Sequence, residues 1–96
     1  MIIYKVIGFV NKDIKRRKAN YGSNTEQVFH KTEIIIDNLE TAQEIYKSIR
    51  NEVSTYYYAG YHGKAFLFIP HMFDNGTLAY WPDDEKYIEQ YDSHTD

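Results

Sequence analysis

Cysteine is absent from this 96-residue chain, which removes disulfides, thiolate nucleophiles and cysteine-based zinc sites together and leaves stability to packing. Long apolar runs are also missing: no stretch of about 18 apolar residues exists, so no segment reads as a membrane span. The start, Met-Ile-Ile-Tyr-Lys-Val, lacks a basic leader region, and its apolar run breaks at Lys5. It therefore reads as a strand rather than a signal peptide, and a cytoplasmic location is the default expectation. The four histidines stand at positions 30, 62, 71 and 94, with no pair one helical turn apart, so no metal site and no cofactor are expected. His62 fits a turn and His30 a strand, leaving His71 near Asp74 as the one local acid–base pair. The run Gly60-Tyr61-His62-Gly63-Lys64 lacks the spacing and trailing hydroxyl residue of a phosphate-binding loop. The chain is expected not to be an enzyme.

Aromatic residues are abundant. Ten tyrosines, five phenylalanines and one tryptophan supply large burial areas, but each tyrosine hydroxyl must reach water or a partner, so many should lie at boundaries. With 43% hydrophobic and 26% charged residues, the composition is that of an ordinary globular domain, and the length suits one core. Charge is uneven. Residues 1–31 carry seven Lys/Arg against two Asp/Glu, whereas residues 32–96 carry four against twelve, which favours an electrostatically chosen partner.

Residues 2–10 are dense in β-branched and aromatic side chains and predict a first strand, apolar on both faces. Residues 11–27 lose that pattern and predict a long exposed connection carrying the run Lys12-Asp13-Ile14-Lys15-Arg16-Arg17-Lys18. Strand character returns over 28–36, so the first two strands form a hairpin. Asp37 with Glu40 approximates a capping box for a helix over 37–53, with Thr41 and Glu44 as an alternative start. Leu39, Ala42, Ile45, Tyr46, Ile49 and Val53 recur at helical spacing on its apolar stripe. Residues 55–61 and 64–69 read as two strands joined at His62-Gly63, with Pro70 ending the second. A short strand over 77–81 follows the turn at Asp74-Asn75-Gly76. Pro82-Asp83-Asp84-Glu85 then resembles the start of a short C-terminal helix, and residues 93–96 are expected to fray. The expected fold is a single α+β domain over residues 1–96, in the order ββαβββα. A mixed or mainly antiparallel sheet of four or five strands carries the main helix on one face.

Two surfaces carry candidate binding residues. On a strand, Tyr56 and Tyr58 would face one way and Tyr57 and Tyr61 the other, leaving one pair exposed as an interface anchor. The plainer alternative is that both faces are covered. Asp83, Asp84, Glu85 and Glu89 form an acidic segment that could mimic a phosphate backbone, although acidic termini also serve solubility alone. Lys12, Lys15, Arg16, Arg17 and Lys18, with Tyr21 beyond them, could track phosphates and stack a base. Otherwise they form a solvated loop tip.

These patterns favour a small non-catalytic protein-binding module using the tyrosines and the acidic segment. An inhibitor or regulator of the kind encoded by phages and mobile elements has such a composition. Nucleic-acid binding through the basic run is the alternative; a membrane partner is not expected, and homo-oligomerisation is left open.

Overall fold

A computed structural model describes residues 1–14 and 25–93. Over these residues it is an α+β domain of four strands and one helix: β1 (Ile3–Asp13), β2 (Thr25–Ile36), α1 (Leu39–Ser54), β3 (Tyr61–Phe68) and β4 (Tyr87–Asp92). All strand pairs are antiparallel, in the order β2-β1-β3-β4. The first strand is central, as its two apolar faces require. Tyr4, Val6, Gly8 and Val10 lie beneath α1 with Ala65 and Leu67 of β3, while Ile7, Phe66 and Phe68 fill the opposite face.

The helix buries Ala42, Tyr46, Ile49 and Val53 and half-buries Ile45, as its spacing predicts, whereas Leu39, expected on the same stripe, is exposed in the first turn. Its cap is one residue later than the sequence suggests. Asn38 Oδ1 accepts the Thr41 backbone N–H at 3.0 Å. Asp37 instead takes φ 53°, and its carboxylate accepts the Ile2 N–H at 2.6 Å while its own N–H donates to the Ile2 carbonyl at 2.8 Å. Asp37 thus fastens the turn to the beginning of β1.

Four expected features take other forms. Residues 55–60 turn rather than extend, because α1 ends at Ser54 and the chain must reverse at once to enter β3. The expected hairpin at His62-Gly63 is instead the interior of β3, where Gly63 serves a close approach: a Cβ there would stand 2.6 Å from Val53 Cγ1. Residues 77–81 form no strand, and only the bridge between Met72 and Leu78 remains of it. The expected C-terminal helix is β4, since β3 has an edge to pair and Tyr87, Ile88 and Tyr91 suit a strand. Ser93, expected to fray, continues that ladder through its N–H to the Gly63 carbonyl (3.0 Å) and its Oγ to the Gly63 N–H (2.9 Å). Among the described residues no helix is long and apolar enough to cross a membrane.

Tyr46 gives the core an alkaline weakness. Burial pushes its hydroxyl up to about 12; Glu89 and Tyr91 push the same way and Arg50 opposes them. A tyrosine in an unfolded chain ionises near pH ~10, so above that pH the unfolded state sheds its proton first. The contribution of Tyr46 to stability should be full below about pH 10 and lost as pH climbs through about 12. Denaturation midpoints measured across this window should fall less steeply for Tyr46→Phe than for the unaltered chain; equal slopes would contradict the assignment.

Candidate functional site

One helix covers one sheet face, so the second apolar face of β1 and β3 needs another cover. Residues 69–86 supply it. Their backbone doubles back through Phe73 N–H to the Thr77 carbonyl (2.8 Å) and Ala79 N–H to the His71 carbonyl (2.7 Å). Lys5, buried on this face, donates from Nζ to the Ala79 carbonyl at 3.2 Å and lies 4.8 Å from the centre of the Tyr80 ring. Burial lowers the Lys5 pKa from its ordinary value.

These contacts deliver Tyr80 and Trp81 onto the sheet. Trp81 meets Phe9 nearly edge-on at 5.3 Å and Phe66 at 6.0 Å, and Tyr80 packs against Trp81 at 4.9 Å. Tyr87 extends the group through Phe66 at 5.6 Å. On the other flank Tyr80 lies nearly parallel to His30, its hydroxyl 2.8 Å from His30 Nε2. The result is an aromatic plateau in which each ring is braced by another, yet Trp81 remains 49% and Tyr80 45% exposed. Neither residue is a binding candidate on sequence grounds. The signal was the two-sided apolar pattern of β1: Ile7 and Phe9 demand a cover, and the aromatic pair at 80–81 lies in the segment left to provide it.

The tyrosines singled out by sequence form a second group, at the far end of the sheet. Tyr56 packs inward against Phe29 (5.7 Å) and Tyr61 (6.4 Å), while Tyr57 and Tyr58 are 69% and 66% exposed. The alternating pairs expected of a strand are therefore replaced by an inner pair, Tyr56 and Tyr61, and an outer pair, Tyr57 and Tyr58. Tyr57, Tyr58 and Tyr61 border a shallow cavity of about 330 Å³, shared with Gly60, His62 and Ser93. Its wall is tied to the end of β1. The Asp13 N–H donates to the Gly60 carbonyl at 2.8 Å, His62 Nε2 is 2.9 Å from Asp13 Oδ2, and Lys12 Nζ lies 5.8 Å from the Tyr61 ring centre. The tyrosine turn thus adjoins the start of the basic run. Lys15, Arg16, Arg17, Lys18 and Tyr21 lie outside the described residues.

The acidic candidates do not join the tyrosine turn. Asp83, Asp84 and Glu85 are exposed before β4, near the end of the sheet where Tyr87 pairs with Phe68, and Asp83 is engaged by Lys86 at 3.3 Å. Glu89 points the other way, opposite Leu67 on the helix side, where its carboxylate disfavours ionisation of Tyr46. His71 lies edge-on to Phe73, 5.0 Å between ring centres. Among the described residues, no three His, Asp or Glu side chains gather as a metal site. Comparison with family models, with curated proteins and with solved structures finds no match to this chain.

Proposed function

We propose that this chain is a non-catalytic binding module that engages a protein partner through the aromatic plateau on its helix-free face. The observation that carries this reading is Trp81, half exposed yet held by Phe9, Phe66 and Tyr80. A braced indole has little freedom left to lose on binding and offers large apolar area with a polar N–H, the combination found at interface hot spots. A small domain of this kind acts by occupying a surface, as an inhibitor or regulator does. Quantitative capture with three baits tests it: the unaltered chain, Trp81→Ala, and Tyr57→Ala with Tyr58→Ala. A protein held by the first and third baits and lost by the second supports the plateau. One lost only by the tyrosine variant moves the site to the turn, and one held by all three refutes both.

Nucleic-acid binding keeps a specific observation in its favour, the placement of Lys12 over Tyr61 where the basic run begins, beside exposed Tyr57 and Tyr58. Cations beside stackable rings are what single strands use. Replacing Lys12, Lys15, Arg16, Arg17 and Lys18 by serine should abolish retention of a single-stranded oligonucleotide at low salt on this reading. Unchanged retention, or none by the unaltered chain, dismisses it.

A further inference from the structure

Strand β2 lies at the edge of the sheet, and among the described residues its only strand partner is β1. It spans twelve residues, Thr25–Ile36. Such an edge offers a row of backbone donors and acceptors to any strand that can lie beside it. Its side chains decide which strand that is. Register with β1 places Phe29, Lys31, Glu33 and Ile35 on the helix side and His30, Thr32, Ile34 and Ile36 on the plateau side. A bulge leaves Val28 without an opposite residue on β1, so the regular part of the edge is residues 29–36. Ile34 and Ile36 remain 46% and 55% exposed.

We infer that two copies of this chain pair through β2, antiparallel about a two-fold axis at Thr32. Residues directly opposite in an antiparallel pair share a sheet face. A two-fold axis perpendicular to the sheet therefore sets one residue opposite itself, and a register shifts in steps of two. With Thr32 on the axis, Lys31 stands opposite Glu33 of the second copy and Glu33 opposite Lys31 of the second copy. Phe29 meets Ile35 of the second copy on the same side. On the other side Thr32 meets its own counterpart, and Ile34 meets His30 of the second copy. Shifting the axis to Lys31 or to Glu33 sets like charges face to face. Charge thus picks one register, and that register is close to centred on the regular stretch of the edge.

The same charges explain why the occupant is a second copy and not an arbitrary strand. A lone lysine and a lone glutamate two residues apart hinder a foreign strand that lacks the complementary pair, whereas the two-fold related strand supplies it in reverse order. Lys31 already faces Glu52 of α1, but at 3.8 Å with both side chains nearly half exposed that contact is weak and yields readily.

Sedimentation velocity from micromolar to millimolar chain tests the assignment by charge reversal. The unaltered chain should dimerise. Lys31→Glu and Glu33→Lys should each weaken dimerisation about fivefold or more, because each sets like charges opposite at two symmetric positions. Mixing these two variants in equal amounts should restore a dimer, as should both reversals within one chain. Restoration also shows that the single variants are folded. A chain that stays monomeric throughout, a dimer indifferent to either single reversal, or a mixture that fails to recover overturns the inference.

Discussion

Replacing Ile49 by alanine should destabilise the domain by about 2–5 kcal/mol, the range for emptying a fully buried aliphatic position. Ile49 is 1% exposed and sits where α1 crosses β1 over Gly8. The contact is so close that a Cβ on Gly8 would stand 2.3 Å from Ile49 Cγ2, with Val53 Cγ2 next at 3.2 Å. Gly8→Ala alone should therefore overpack the junction and cost about 1–3 kcal/mol. Combined with Ile49→Ala the new methyl enters the space just vacated, since the nearest obstacle is gone. A double-mutant cycle by chemical denaturation should show the second change costing far less in the Ile49→Ala background, with a coupling of about 1–3 kcal/mol. Strict additivity would mean that α1 does not rest on β1 as described.

That junction was legible from periodicity. The stripe Ala42, Tyr46, Ile49 and Val53 needed no tertiary information, and neither did the doubly apolar β1. What local pattern could not supply was competition between elements. Three consecutive tyrosines favour a strand, yet residues 55–60 must reverse the chain between the end of α1 and the start of β3, and Gly60 at φ 83° turns them back. Tyr87, Ile88 and Tyr91 fit a helical face as well as a strand. So short a helix is marginal by itself, whereas β3 offered a full edge, and Lys64 opposite Asp92 (3.7 Å between Nζ and Oδ2) favours the pairing.

The candidate surfaces were legible in kind and not in place. Aromatic excess announced half-wet rings, but local density pointed to Tyr56–Tyr58, where rings adjoin in sequence. The plateau is assembled from Phe9, His30, Phe66, Tyr80 and Trp81, which four separate segments bring together. The acidic segment likewise looked continuous in sequence, and strand alternation turned Glu89 to the helix side, away from Gln90, which lies opposite Phe66 on the plateau side.

Removing the Trp81 ring should cost at least about 2 kcal/mol of partner binding, roughly thirtyfold in affinity, which is the scale of a central aromatic anchor. Its effect on folding should be smaller. The edge contacts to Phe9 and Phe66 are worth about 0.5–1.5 kcal/mol each, and half the ring already faces water. Tyr57→Ala with Tyr58→Ala should leave affinity for the same partner nearly unaltered, because that turn lies beyond the plateau at the Lys12 end of the sheet. Isothermal titration of the captured partner with Trp81→Ala, performed well below the variant's melting midpoint, is the most direct test. A roughly thirtyfold or greater loss of affinity with cooperative unfolding retained is the result expected, and unchanged affinity would contradict the plateau as the binding surface.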